Sequence, residues 1–277
     1  MSQKLNAFEA LALVPGWDPE DTDIEELRGG LSNRNYLIQA AGERCVMRLH
    51  AEHGHAISQD RSCELTILGN AAAAGLAPQI VYTDIENGIL LTEYLPDRVW
   101  SKADLQSDEK LALLADLLRK VHALPSCGVR LDLNLSAARY EEYLKRRHGL
   151  HAFATQCVEV IASIPASRHL VCCHNDIVAE NIIGVNSLKL IDWEYAGDND
   201  PFFDLASLIG FHNLGRKESD VFLDAYTGGI NDEHRERLAD QLRIFDAIQW
   251  LWLASRHLAS PRRENVTRLE ELQQRIR

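Results

Sequence analysis

Residues 174–181 read His174-Asn175-Asp176-Ile177-Val178-Ala179-Glu180-Asn181, and residues 189–195 read Lys189-Leu190-Ile191-Asp192-Trp193-Glu194-Tyr195. Two short apolar runs, Leu170–Cys173 and Leu188–Ile191, flank this segment and read as strands. Asp176 and Asn181 therefore fall on the loop after one strand, and Asp192 falls at the end of the next. Two carboxylates and an amide so placed suit a site that holds divalent metal and triphosphate while a carboxylate takes a proton from an alcohol. Asp176 would be the proton acceptor. The carbonyl oxygen of Asn181 and the carboxylate of Asp192 are hard ligands, and magnesium needs few of these beside phosphate oxygens and water. Alone, each residue would be ordinary, since an Asp at a strand end is usually a turn former or a cap. The combination carries the reading.

Upstream of this segment the pattern is that of a sheet. Asn6–Leu13 reads as a short helix stopped near Pro15-Gly16. Ile24–Leu27, Asn35–Gln39 and Arg44–Leu49 read as strands, the last two joined by a turn at Ala41-Gly42-Glu43 as an antiparallel hairpin. Ser58–Ala74 reads as a helix closed by Gly75, with Cys63, Ile67 and Ala71 on one face. Ile80–Tyr82 and Ile89–Tyr94 complete a five-stranded sheet with one helix inserted. Without βαβ alternation, a Rossmann-type sheet is disfavoured.

Tyr94-Leu95-Pro96-Asp97 reads as a hinge, and helices dominate beyond it. Ser107–Leu124 carries leucines at helical spacing, and Ala137–Leu150, Ala152–Ile164, Phe202–Asn213, Lys217–Tyr226 and Asp232–Leu258 follow. The charged tail from Pro261 reads as a final solvated helix. The expected organisation is thus residues 1–95 as one lobe and 96–277 as a second, mostly helical lobe.

The chain has 277 residues, 46% hydrophobic and 25% charged, which is ordinary globular composition. A net charge of −12 argues against a nucleic-acid partner, which needs clustered Lys and Arg, and weakly favours a cationic ligand. No run is long and apolar enough for a membrane span, and the first residues show no signal peptide. The six cysteines form no CxxC pair, so reduced, buried thiols in a cytoplasmic protein are expected. His50, His53 and His55 read as a solvated loop rather than a metal site, and the acidic run from Asp18 to Glu26 as solvated surface.

His174-x-Asp176-x4-Asn181 followed by Ile191-Asp192-Trp193-Glu194-Tyr195-Ala196 resembles the aminoglycoside phosphotransferase and choline kinase superfamily, relatives of protein kinases. The string from Leu188 to Asp198 is particularly similar to bacterial thiamine kinases and to choline or ethanolamine kinases. The resemblance runs from about residue 20 to 260 and implies an α+β, two-lobed, protein-kinase-like fold that uses ATP and Mg2+. It implies that Gly29-Gly30-Leu31-Ser32-Asn33 covers phosphate, with Ser32 and Asn33 as hydrogen-bonding side chains. It implies that Arg48 contacts phosphates, held by Glu64 on the following helix. It further implies that the backbone of Glu93-Tyr94-Leu95 meets adenine, that Asp204 braces the catalytic loop, and that His174 packs within that loop.

The acceptor pocket is expected to be negative, because Glu194 joins Asp176 and Asp192, and on an extended segment Asp192 and Glu194 would face the same way. Gln249-Trp250-Leu251-Trp252 resembles the tryptophan-bearing helix of choline kinases, whose rings bind cations. Family tryptophans are three apart and these are two apart, roughly 200° around a helix, so only one can face the pocket. Trp252 is in register with the second family tryptophan, and Tyr195 offers another aromatic wall. The expected function is transfer of the ATP γ-phosphate to the primary hydroxyl of a cationic alcohol such as choline, ethanolamine or thiamine. The alternatives are an aminoglycoside or sugar kinase of the same fold, and a catalytically silent kinase-like scaffold.

Overall fold

The computed structural model describes residues 5–27, 33–50 and 61–277. Five strands, β1 (Asp23–Leu27), β2 (Arg34–Ala40), β3 (Glu43–Leu49), β4 (Ile80–Asp84) and β5 (Ile89–Glu93), form an antiparallel sheet in the order β1-β2-β3-β5-β4. β2 and β3 are joined through Ala41 and Gly42, both at positive φ, the two-residue turn whose twist matches that of the strands. The pleat decides which side chains reach the cleft. Cys45, Met47 and Leu49 on β3 alternate to one face, where they pack with Tyr36 and Ile38 against Ala10 and Leu11 of α1 (Ala7–Leu11). Arg48, out of phase with them, points to the opposite face.

That opposite face carries α2 (Arg61–Ala73). Gly75 ends this helix at positive φ, and the bonds Leu76 N–H to Ala71 O and Gly75 N–H to Ala72 O close it as a Schellman motif. Residues 58–60 of the expected helix, the Gly29–Ser32 turn, and His53 and His55 lie outside the described residues.

The rest of the chain is mainly helical: α3 (Asp108–His122), α4 (Leu133–Leu144), α5 (His148–Ser163), α6 (Pro201–His212), α7 (Arg216–Thr227), α8 (Asp232–Ala259) and α9 (Arg263–Ile276). Between α5 and α6 lie two small antiparallel ladders, β6 (Val171–Cys173) with β9 (Gly197–Asn199), and β7 (Ile182–Ile183) with β8 (Lys189–Leu190). The larger hydrophobic core is shared between the lobes: Cys63, Ile67 and Ala71 of α2 belong to the same buried cluster as Leu114 and Leu118 of α3 and Leu208 of α6. No described helix is long and apolar enough to cross a membrane.

Three expectations need correction. The break between α4 and α5 falls at residues 145–147, not after Leu150. Asp132 caps α4 by accepting from Leu135 N–H at 2.9 Å, and no Gly or Pro marks the break. The terminal helix is not merely solvated, since Leu269 and Leu272 are buried against the core. Nor are all the cysteines reduced: Cys63 and Cys127 form a disulfide, while Cys45, Cys157, Cys172 and Cys173 are free and buried. Their separation of 64 residues gave no local spacing signal, and the fold brings the two Cα atoms to 5.7 Å.

Candidate active site

The loop after β6 is held from behind by one face of α6. Asp204, fully buried, accepts from His174 N–H at 3.0 Å and Asn175 N–H at 2.6 Å. One turn on, Ser207 Oγ accepts from Ile177 N–H at 3.0 Å, and His212 Nε2 accepts from Ala179 N–H at 2.9 Å. His122 Nε2 of α3 lies 3.0 Å from Asp204 Oδ2, and its Nδ1 lies 2.7 Å from the Tyr226 hydroxyl. A buried loop must find partners for its amides, and here a polar stripe on an apolar helix supplies them. Ser207, His212 and His122 escaped the sequence reading. The signal was there: Asp, Ser and His at 204, 207 and 212 stand out in a helix otherwise almost wholly apolar.

His174 is fully buried, packs at 4.7 Å on the Trp193 ring, and places Nε2 3.0 Å from Ile191 O. Burial pushes its imidazole pKa down, which keeps the ring neutral. Asn175 takes the left-handed conformation, with φ of 66°, and its Nδ2 donates to Tyr195 O at 3.0 Å, tying the loop to the second motif.

Asn181 Nδ2 donates to the Asp176 carbonyl at 3.0 Å and to Asp176 Oδ2 at 3.2 Å. Ile191 N–H donates to Asn181 O at 3.0 Å, so the β7–β8 ladder sets Asn181 and Asp192 at the same end. Burial, then the charges of Asp192 and Glu194, push the Asp176 carboxyl up to about 8, against the opposing donation from Asn181. Asp192 itself has φ of 62°. The segment from Asp192 to Glu194 is therefore not extended, and the strand-periodicity argument for their common orientation does not apply. A left-handed Asp followed by a turn brings both to the same cavity instead.

Arg48 links the lobes. Its guanidinium bonds the buried Glu64 of α2 and lies 3.2 Å from Asp192 Oδ1. Burial alone would lower its pKa, but Glu64 and Asp192 hold it above the ordinary value. Asn33, expected at the phosphates, donates through Nδ2 to Glu194. Ser32 is outside the described residues. At the hinge, Glu93 N–H donates to Gln79 O at 2.9 Å and Tyr94 N–H to Arg44 O at 3.3 Å, while the Glu93 carboxylate pairs with Lys189 at 3.0 Å. Leu95 is half-buried beside them.

Asp176, Asn181, Asp192 and Glu194 line one end of a cavity of about 250 Å³. Its walls carry the rings of Tyr195, Phe203, Phe211, Phe245 and Trp252. Trp250 is fully buried and packs at 4.8 Å on Phe153, so the two tryptophans of α8 divide between core and cavity. The three phenylalanines had no motif to announce them. They come from α6 and α8, which meet only in the fold.

Residues 23–240 match the model of the phosphotransferase enzyme family. The chain belongs to that family. It is 28% identical over 221 residues to protein LicA of Haemophilus influenzae, a match covering 75% of this chain and 63% of that protein. It is 28% identical over 207 residues to thiamine kinase of Escherichia coli, covering 71% of this chain and 69% of that one. A choline/ethanolamine kinase family protein of Mesorhizobium loti superposes with a TM-score of 0.75 at 24% identity, over 98% of this chain and 92% of that chain. Choline kinase LicA of Streptococcus pneumoniae gives a TM-score of 0.75 at 23% identity, over 91% and 92%. These likenesses establish the expected two-lobed phosphotransferase fold.

Proposed function

We propose that this phosphotransferase moves the γ-phosphoryl group of ATP to the hydroxyl of a small cationic alcohol of the choline, ethanolamine or thiamine kind. One observation carries the reading: Asp176, Asn181, Asp192 and Glu194 converge on a single cavity whose remaining wall is largely apolar, with Tyr195, Phe203, Phe211, Phe245 and Trp252 as its aromatic rings. In this reading residues 1–95 serve the nucleotide and 96–277 the chemistry and the acceptor. In its ionised form Asp176 accepts the hydroxyl proton, and the amide of Asn181 orients it. Arg48, fixed by Glu64, meets the phosphates. Glu194 receives the acceptor's positive charge, with Tyr195 and Trp252 as its aromatic walls. Asp204 acts from behind the loop and His174 fills its interior.

The donor set also fits magnesium. The Asn181 side chain commits its Nδ2 to Asp176, so its Oδ1 is free of hydrogen bonds among the described residues, and Asp192 already faces a cation, Arg48. Asn181 and Asp192 would hold the ion, which would offset the charge of the triphosphate. Relatives described as ethanolamine kinase in rat and thiamine kinase in Escherichia coli support the acceptor class. Choline, ethanolamine, thiamine and kanamycin, each assayed for ADP release with ATP and magnesium, test the proposal. Turnover of a cationic alcohol is expected, whereas turnover of kanamycin alone, or of none, would overturn it.

A further inference from the structure

The cavity beside Asp176 is roomier and more apolar than a small ammonium alcohol requires. Its volume is about 250 Å³. An apolar cavity of about 150 Å³ is enough to hold benzene; choline is little larger than benzene, and ethanolamine is smaller. The wall points the same way. Leu131, Leu133, Val178 and Ile248 line it beside the five rings. Aliphatic side chains offer a cation neither a carboxylate nor an electron-rich face, so they gain only by covering apolar surface. The rings are held by their own packing. Phe203 and Phe245 meet edge to face with centroids 5.9 Å apart. Gly210 lets the Phe245 ring lie directly on α6, since a Cβ there would stand 2.6 Å from Phe245 Cδ1. Phe211, the next residue, lines the cavity yet is 40% exposed, so the apolar wall continues to the mouth.

We propose that the acceptor alcohol carries a ring-sized apolar group beyond its cation, and that Phe211 is the specificity-determining residue that covers this group at the mouth. The inference rests on the reading of this cavity as the acceptor site. With the hydroxyl at Asp176 and the cation next to it, the acidic end is filled, and the aliphatic and phenylalanine wall is left for whatever the cation carries. A ring placed there removes apolar surface of both ligand and wall from water. Because the wall is already packed, little of that gain is lost in ordering it. Ethanolamine and choline have no such group and would leave this part of the wall uncovered. The discrimination thus follows from apolar contact, at constant charge and constant hydroxyl.

The test uses pairs of ligands that differ only in the ring. The first readout is the ratio of kcat/KM for benzyl(2-hydroxyethyl)dimethylammonium to that for choline. The second needs no turnover: the ratio of affinities for benzyltrimethylammonium and tetramethylammonium, followed by tryptophan fluorescence. Both ratios are expected to favour the benzyl compound by about tenfold or more in the wild-type protein, the weight of one largely buried ring after the costs of binding. In Phe211→Ala both ratios should fall by about threefold or more, as part of that apolar contact is lost. Phe211→Tyr, which keeps the ring, should retain the wild-type ratios. A wild-type ratio near one in either readout, ratios unchanged in Phe211→Ala, or a Tyr variant that behaves like the Ala variant would each overturn the proposal. If neither alcohol reacts, the assigned reaction fails, and the binding ratios alone decide the inference about the ring.

Discussion

Cys63 of α2 and Cys127 of the loop after α3 are joined by a disulfide that runs between the two lobes. Each end is anchored near the site. Cys63 precedes Glu64, the partner of Arg48, and the N–H groups of Cys127 and Gly128 donate to Asp198 at 3.3 and 3.0 Å, beside the second motif. The bridge therefore ties the helix that fixes Arg48 to the strand that follows Glu194. It closes a 64-residue separation, for which the chain-entropy model gives about 4 kcal/mol, with about 2–4 typical of measured bridges. The Cys63→Ala, Cys127→Ala double variant is expected to unfold earlier in urea by that amount. Dithiothreitol should lower the wild-type midpoint to match and leave the double variant unmoved. A wild-type midpoint indifferent to reductant would mean that the thiols are unbridged in solution.

Arg48 is shared between Glu64 and Asp192, and that sharing sets the second expectation. Removing Glu64 leaves the guanidinium one carboxylate, so it settles on Asp192 and leaves the place assigned to phosphate. Glu64→Ala should raise KM for ATP by about tenfold or more, the cost of about 1.4 kcal/mol in positioning. KM for the acceptor should change little. Equal effects on both substrates would assign Glu64 to packing between α2 and the sheet.

Asp176 makes stability depend on pH with a definite sign. Its carboxyl titrates near 8 in the folded chain, against an ordinary value of 3.8. The folded state thus holds a proton that the unfolded chain gives up at lower pH. That contribution is complete below about pH 4, declines as pH rises, and is gone above about 8. Asp176→Asn cannot titrate. In metal-free buffer its Tm advantage over wild type should grow from pH 4 to 8 and then level off, while its turnover is abolished. A constant difference in Tm across that range would show that Asp176 is ionised throughout.

The elements that were legible in the sequence are those with a local signature. β3 alternates its apolar residues, Gly75 stops α2, and Asp176, Asn181 and Asp192 fall on loops beside strands, so all could be read in place. What escaped is what only tertiary contact creates. Cys63 and Cys127 carry no spacing signal. Phe203, Phe211 and Phe245 become a cavity wall only when α6 meets α8. Asn33 sits in a Gly-rich segment that suggests phosphate, yet its side chain meets Glu194 from across the cleft. Asp192 reached the expected place by an unexpected route, through a left-handed backbone that a strand reading does not contain.

α9 supplies the last expectation, because a tail that looked solvated holds the cavity wall in place. Arg268 Nη2 donates to Gly210 O at 3.0 Å and Phe211 O at 2.9 Å, and lies 3.3 Å from Gln249 Oε1. Arg275 Nη1 adds a second bond to Gly210 O at 3.0 Å, and its Nη2 pairs with Asp246. These carbonyls end α6, where unpaired C=O groups and the helix dipole both favour a cation. Phe211 and Gln249 line the cavity, so the two arginines fix its outer wall from outside. Arg268→Ala should loosen that wall and raise acceptor KM by about three- to tenfold, the factor for about 1 kcal/mol, the net contribution of a typical hydrogen bond. KM for ATP should stay within twofold, roughly the effect of a site with no nucleotide contact. A parallel rise in both constants would show that α9 supports the fold as a whole and has no special hold on the acceptor.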